Sequence, residues 1–529
     1  MRIGTGFKRG VLTASAATLF FLASLLLPPL IPGVFAGRPQ RHVINLTILH
    51  VNDTHGHIVP FTPFFYKLVG SGQKAGGAAY LATMIEKERA ANPDGTILLS
   101  AGDMFQGTPV SNIFHGKPVV EIMNYLHFDA MTIGNHEFDW GQGALHSIIS
   151  EASFPVLSAN VFTRDGGYIQ GVKPYIILKR KGVRIAVIGL TTPETRYTTK
   201  IENVAGLTFA LPKSVMPSMI RAVRAKGASI VIALTHLGLY ADRELASQVR
   251  GIDLIVGGHS HTAILDPLVQ SGTVIVQAGC YGLYLGVMKI AYDPQTKKIV
   301  SFTRKNELMQ VSPESAPPDP KVARIVAKYE AKVEPEFSKT IGTAANDLTR
   351  KPSGESSLGD LVADAMRYAS GAAIAFQNRG GIRADIPAGP ITMNEVFTAL
   401  PFDDNIVSMD LTGKQIREAL EQSVGYGDIS LQVSGIRVVY DMSKPPGERI
   451  VSIKVAGQPL NNRASYRIAT NDFLAAGGDR FDVFKHGRNI STGQSLREAV
   501  VEYIRKNSPV KAGGVGRIIL KDSSGGGLH

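Results

Sequence analysis

An α/β fold in two parts is what this sequence predicts: a sandwich of strands and helices over residues 42–310, then a second α/β domain over 339–522. Three observations carry that expectation. Short aliphatic or β-branched runs alternate with polar loops and helix-like stretches between residues 42 and 300. The runs are apolar throughout instead of alternating, as strands covered on both faces are. A proline-rich polar stretch, "VSPESAPPDP" at 311–320, then interrupts the pattern, and a different one follows it.

The chain has 529 residues, 44% hydrophobic and 19% charged, which is a globular composition long enough for more than one core. It begins with Arg2, Lys8 and Arg9, an apolar run "VLTASAATLFFLASLLLPPL", and small residues spaced for cleavage after Ala36. Residues 1–36 are therefore expected to be a secretory signal peptide, and the remainder exported to a periplasm, the medium or a cell surface. An uncleaved anchor is the alternative, which Pro28 and Pro29 disfavour by shortening any spanning helix. No other stretch approaches membrane-spanning length.

Cys280 is the only cysteine, so no intramolecular disulfide and no zinc–thiolate site can form. Following "TVIVQAG", it reads as a small buried hydrophobe. The net charge is +12, and loss of Arg2, Lys8 and Arg9 with the signal leaves +9. Such a balance suits anionic small molecules. The basic residues are scattered without an aromatic-interleaved patch, which argues against nucleic acid as partner. The sequence sets no oligomeric state.

The first-domain strands are expected in "VINLTILHV", "TILLSAG", "AMTIGN", "RIAVIGL", "SIVIALTH", "DLIVGGHSH" and "TVIVQAG". Amphipathic "AAYLATMIEKERAA" and "KPVVEIMNYLH" supply helices between them. Residues 311–338 read as a linker containing one exposed helix, "KVARIVAKYEAKVEPEF". Beyond it come helix-like "SLGDLVADAMRYAS", Gly-rich loops, and short strands such as "GIRVVY" and "SYRIAT". The tail 523–529, "SSGGGLH", has no core-forming residue and is expected to fray.

Five of the first-domain runs end the same way. Asp53 and His55 follow the first, Asp103 the second and Asn135 with His136 the third; His236 ends the fourth, and His259 and His261 follow the fifth. In open α/β sheets the carboxyl ends of strands form the ligand-binding edge. A single histidine after a strand is more often a solvated loop residue, and a single aspartate a turn or cap. Five such coincidences at one edge are a different matter. Asp53, His55, Asp103, Asn135, His236, His259 and His261 form a mixed imidazole and oxygen set suited to Zn, Mn, Co or Fe. Seven donors exceed one tetrahedral ion and fit two divalent ions sharing a carboxylate, with Asp103 as the bridge.

The blocks "NDTHG", "GDMFQG", "GNHEFD", "THLG" and "GGHSHT", in that order, resemble the signature of the calcineurin-like metallophosphoesterases. Over about residues 42–520 the chain resembles the 5′-nucleotidase family, which includes bacterial UDP-sugar hydrolase/5′-nucleotidases. That resemblance implies a di-metal site, with Asp53, His55 and His261 on one ion, Asn135, His236 and His259 on the other, and Asp103 between. It also implies that His136 and Asp139 are the catalytic pair. Glu137 matches no role and reads as helix N-terminal stabilisation; Trp140, the only tryptophan, reads as packing beside the site.

In the second domain "NRGGIR" sets Asn378 and Arg383 around paired glycines, which permit close backbone approach to an anion that arginine can fork. The resemblance implies that Phe402 and Phe473 sandwich a nucleobase and that Asp479 holds ribose hydroxyls. Arg350, in a stretch where the match is ambiguous, is a further candidate for phosphate. Arg379 and Arg480 depart from the family pattern, the latter standing where "GGDGF" is commoner. The implied activity is metal-dependent hydrolysis of nucleoside 5′-phosphates, with UDP-sugars or other nucleotide diphosphates as further substrates. The alternatives are a 2′,3′-cyclic-nucleotide phosphodiesterase/3′-nucleotidase, a thiosulfohydrolase of sulfur oxidation on the same scaffold, and a nucleotide-binding surface protein without activity. With cations in one domain and the base pocket in the other, segment 311–338 is expected to act as a hinge.

Overall fold

Parallel pairing of the first apolar runs builds the frame. Ile44–Val51 pairs with Thr96–Ser100, which pairs with Ala130–Thr132, and the antiparallel strand Tyr284–Asp293 closes on the other flank of Ile44–Val51. The computed structural model describes residues 42–63, 73–351, 354–425, 428–511 and 516–521; the expected signal segment and the tail lie outside them.

A second sheet holds Val183–Thr191, Ile230–His236, Leu254–Val256 and Thr273–Val276 in parallel, with antiparallel Tyr175–Arg180 and Leu268–Gln270 at its edges. The two sheets face each other through Leu46, Ile48, Leu99, Val187, Ile232 and Leu234, all essentially without solvent contact. Helices cover the outer faces: Ala78–Ala91 and Lys117–Tyr125 on the first sheet, Pro212–Ala225 and Leu239–Gln248 on the second. Both faces of the parallel strands are thereby dry, which is why their sequences do not alternate. The antiparallel edge strands make the sheets mixed.

The helix Pro320–Phe337 corrects the expectation of an exposed linker helix. Asp319 caps it, accepting from the backbone N–H of Lys321 and Val322 at 2.9 and 2.8 Å. Val322, Ile325, Val326, Tyr329 and Val333 form one apolar stripe and are buried in the same core as the first-domain helices. Val311 is buried too, its carbonyl accepting from Gly76 and its N–H donating to Leu283. The segment is thus stitched to the first domain, and only Ser338 and Lys339 separate its helix from the strand Thr340–Ala344.

The C-terminal part centres on a five-stranded sheet in the order Leu431–Ser434, Ile374–Asn378, Ser465–Asn471, Asn405–Thr412, Arg488–Ser495. Helices Ser357–Ser370 and Leu496–Asn507 pack on one face, and a four-stranded sheet with helix Gly413–Ser423 shares the core on the other. Ile374–Asn378 runs parallel to Ser465–Asn471, whereas Asn405–Thr412 runs antiparallel with Ile406 opposite Asn471. One sheet edge therefore gathers Asn378, the loop before Asn405 and the loop after Asn471. Among the described residues no helix is long and apolar enough to cross a membrane.

Truncating Ile325 to alanine is expected to cost about 2–5 kcal/mol in denaturant unfolding, as for a core aliphatic. An exposed helix would tolerate the change within about 0.5 kcal/mol, and that result would return the helix to the linker.

Candidate active site

All seven expected ligands meet beyond the carboxyl ends of the strands. Ligand atoms of Asp53, His55 and His261 lie within 4.8 Å of one another, and those of Asp103, His236 and His259 do likewise. Asp103 faces both groups, with Oδ2 3.0 Å from His236 Nε2 and 3.9 Å from His55 Nε2. Asn135 joins the second group through Oδ1, 3.2 Å from His236 Nε2. The ring nitrogens that point away are tied down: His236 Nδ1 to the Ala101 carbonyl at 2.7 Å and His55 Nδ1 to that of Gln106 at 2.8 Å. Such bonds place the proton on Nδ1 and leave Nε2 as a donor for a cation.

The backbone is bent to achieve this. Asp53, His55, Asp103, His259 and His261 all have φ between 48° and 76°. Left-handed conformations in residues with a Cβ cost ~1–2 kcal/mol each and gather at functional sites. Gly134 shows how tight the packing is, since a Cβ there would lie 2.2 Å from Asp103 Oδ1.

The electrostatics fit two dications. Burial pushes the Asp53 carboxyl up to about 7 against the pull of His236, with Asp103 adding to the rise. Burial, then the Arg383 guanidinium, lowers His55 and His261, so both imidazoles are neutral and ready to ligate. His236 goes the other way: burial opposes its protonation, but Asp103 outweighs this and raises it to about 10. A cation on Nε2 competes for that lone pair and displaces the proton, because metal binding and deprotonation are linked. Two carboxylates, one amide oxygen and four imidazoles match the donor preferences of Zn, Mn, Co and Fe.

His136 Nδ1 is 2.6 Å from Asp139 Oδ2, and the His136 backbone N–H donates to Asp103 Oδ1 at 2.9 Å. Burial works against its protonation, but Asp139 and Asp103 outweigh it and raise the imidazole above its ordinary value. Asp139 is itself held by the Thr199 hydroxyl at 2.9 Å on Oδ1 and by Asn203 on its carbonyl at 2.8 Å. Neither partner is visible in the sequence.

Glu137 is not a helix-end bystander. Its buried carboxylate accepts from the backbone N–H of Asp103 at 2.8 Å, Met104 at 2.8 Å and Gly134 at 2.7 Å. It therefore joins the loop carrying Asp103 to the loop carrying Asn135. Asn52 and Gln277 do similar work unannounced by the sequence. Asn52 bonds Asp53, Ala278 and Gly279; Gln277 bonds Gly258, Ser260 and Thr262 around the two histidines of "GGHSHT".

The site opens into a cleft of about 1460 Å³ shared with the C-terminal part. Asn378, Arg383, Phe402, Phe473, Asp479 and Arg350 all line it, as does Trp140. Asn378 Nδ2 donates to Asp479 at 3.0 Å; the Phe402 ring is 5.6 Å from that of His136; Arg383 reaches within 3.5 Å of His55 Nε2. Arg350 donates to the Arg383 carbonyl at 2.6 Å. The two departures from the family pattern are both paired: Arg379 with Asp428 at 2.5 Å and Arg480 with Glu194 at 2.6 Å. Lys200 ties the two parts further, donating at 2.9 Å to the Asp403 carbonyl and to Asp472.

Glu137→Gln should cost about 1–3 kcal/mol in unfolding free energy, because the amide sets a donor against backbone donors, and should loosen retained metal in elemental analysis. Unchanged stability and metal content would restore the bystander reading. Asp404 offers a pH test. Burial, then Asp472, pushes its carboxyl from 3.8 to about 8 against the pull of Lys200, with Asp139 also facing it. The folded chain holds a proton that the unfolded chain releases, so this stabilisation is full below pH 3.8 and is lost as pH rises toward 8. Asp404→Asn should therefore flatten the fall in melting temperature between about pH 5 and pH 8; an equally steep fall would show that Asp404 does not carry it.

Residues 46–263 match the calcineurin-like phosphoesterase family, and residues 339–486 match the 5′-nucleotidase C-terminal domain. The 5′-nucleotidase of Homo sapiens is 32% identical over 544 residues, 93% of each chain. A trifunctional nucleotide phosphoesterase protein of Bacillus subtilis is 32% identical over 524 residues, which are 88% of this chain and 34% of that protein. This chain thus spans about a third of that relative's length. The crystal structure of a 5′-nucleotidase precursor from Thermus thermophilus superposes with a TM-score of 0.84 at 34% identity, covering 90% of this chain and 99% of that one. With an N-terminal metallophosphoesterase domain, the matching C-terminal domain and two clusters able to hold divalent metals, this chain belongs to the 5′-nucleotidase family of metal-dependent phosphoester hydrolases.

Proposed function

We propose that the chain is an exported 5′-nucleotidase that removes the phosphate from nucleoside 5′-monophosphates. One observation carries this reading above the rest: His136 of the cation-binding edge lies in the same cleft as Phe402, Phe473 and Asp479 of the C-terminal sheet. A nucleotide can reach both ends at once. The layout of residues 1–36 supports export.

Asp53, His55 and His261 would hold one divalent ion, Asn135, His236 and His259 the other, with Asp103 shared. When bound, the ions supply Lewis-acid polarisation of the phosphoryl group and acidify water at neutral pH. Asn135 would offer the ion a neutral oxygen, adding no repulsion against an incoming phosphate. His136, whose carboxylate neighbours favour its protonated form, donates toward the phosphoryl oxygens or the departing ribose oxygen. Asp139 fixes the tautomer and aim of that ring. Arg383 brings a fork of donors to the same region, with Arg350 behind it. Asn378 and Asp479 bind the ribose hydroxyls, and the rings of Phe402 and Phe473 take the base between them, each stack worth ~1–3 kcal/mol.

The volume of the cleft favours nucleotide diphosphates, including UDP-sugars, as additional substrates. Arg379 and Arg480 lend that extension no support, since each is paired with a carboxylate. A hinge, if the two parts move, falls at Ser338–Lys339 and not along the buried helix before them.

The test is phosphate release from AMP, UMP, ADP, UDP-glucose and cyclic 2′,3′-AMP with Mn²⁺, Co²⁺ or Zn²⁺. AMP or UMP should be hydrolysed fastest. His136→Ala should lower kcat ~10²–10⁴-fold with metal content intact, whereas Asn135→Ala should lose metal. Release from none of the monophosphates would overturn the proposal, and equal metal loss in both variants would overturn the division of roles.

A further inference from the structure

His259 differs from the other fixed histidines of the site. His55 and His236 are aimed by backbone carbonyls of their own domain. The neighbour behind His259 is a side chain, Glu194, whose Oε2 is 3.9 Å from Nε2. With Nε2 turned to that carboxylate, Nδ1 is the nitrogen left for a cation. A carboxylate behind an imidazole favours the N–H that faces it and raises its basicity as a ligand, and at 3.9 Å Glu194 does so as an ion-pair partner.

The other oxygen of Glu194 is held by a residue of the C-terminal part. Oε1 accepts from Arg480 at 2.6 Å, and the Arg480 guanidinium also lies over the ring of Tyr197, 5.0 Å from its centroid. Glu194 and Tyr197 belong to one short segment after the strand Val183–Thr191, so Arg480 grips that segment twice. Arg480 directly follows Asp479, whose carboxylate accepts from Asn378 in the cleft.

Backbone conformation gives an independent sign. Asp479 and Arg480 have φ of 51° and 66°. Glycine occupies such a position without strain, whereas an arginine does so at a cost that its side chain must offset elsewhere.

We propose that Glu194 is a positioning residue for His259 and that Arg480 holds it in place, so that the loop carrying Asp479 and the second cation cluster are coupled. This rests on the reading of the seven residues as a paired-cation site. Whatever orders the Asp479 loop orders Arg480, hence Glu194, hence His259. By reciprocity, a nucleoside in the cleft tightens the cation at that cluster by the same factor by which the cation tightens the nucleoside.

The experiment is calorimetric titration of the metal-free full chain with Mn²⁺, with and without adenosine, which has no phosphate to ligate metal. In the wild type, two ions should bind, and adenosine should tighten one of them about fivefold or more. Glu194→Gln should weaken that same ion ~10–100-fold, leave the other within about twofold, and abolish the adenosine effect. Arg480→Gly should abolish the adenosine effect while keeping a cooperative thermal unfolding transition, since the relieved strain offsets the lost contacts and the transition certifies that the variant folds. Lys200→Ala, which breaks the Asp472 ion pair across the cleft without touching Glu194, should keep the adenosine effect.

Two sites unchanged in Glu194→Gln, an adenosine effect that survives Arg480→Gly, or none in the wild type would each overturn the clamp while leaving the cation site standing. A wild-type chain that binds fewer than two Mn²⁺ would overturn the site and the clamp together.

Discussion

A buried negative charge at Asp103 is the constraint around which the molecule is arranged. The carboxylate is nearly without solvent, and removing such a group from water is expensive unless partners replace the water. Here the His136 backbone N–H and the imidazole of His236 meet its two oxygens, and Glu137 receives the N–H of its own residue. Asp53 and Glu137, which both face Asp103, are equally buried, and burial pushes the Glu137 carboxyl up to about 7 as it does Asp53. So much acid in one dry pocket is tolerable when the pocket is made for cations. The parallel strands below supply the rigidity, because their ends cannot shift without disturbing a core dry on both faces.

The C-terminal part faces that pocket and reaches into it with Arg383, 3.5 Å from His55 Nε2. Its central sheet is not the mirror of the first; it brings two parallel strand ends and one antiparallel strand start to a common edge. The result is a polar and aromatic wall opposite the cation clusters, and elsewhere Lys200 and Asn112 of the first domain bond Asp472 and the Pro401 carbonyl, each at 2.9 Å. The candidate metal ligands and the polar and aromatic residues that face them thus rest on different hydrophobic cores.

Much of this is legible in the sequence, for a physical reason. A strand dry on both faces leaves a continuous apolar run, so its end is visible, and each ligand sits within a few residues of such an end. The residues that hold the candidate ligands and the His136–Asp139 pair leave no such mark. Asn52, Thr199, Glu194 and Gln277 act through contacts between segments far apart in the chain, and nothing local distinguishes them from other polar loop residues. Glu137 reads as a helix end because of its immediate neighbours, whereas two of its three partners lie more than thirty residues upstream in the Asp103 loop. The stripe Val322, Ile325, Val326, Tyr329 and Val333 is plain in the sequence, but the prolines before it point to a linker instead.

The left-handed backbone at five candidate-ligand positions bears on how this protein can diverge. Replacing such a ligand by alanine removes a donor yet keeps the strain, whereas glycine, or to a lesser degree asparagine, sheds both. A lineage that abandons metal would first drift toward those residues at Asp53, His55, Asp103, His259 and His261. Glycines at these places in a distant relative are then a signature of lost chemistry, while Asn135 and His236, in ordinary backbone conformations, would drift without one.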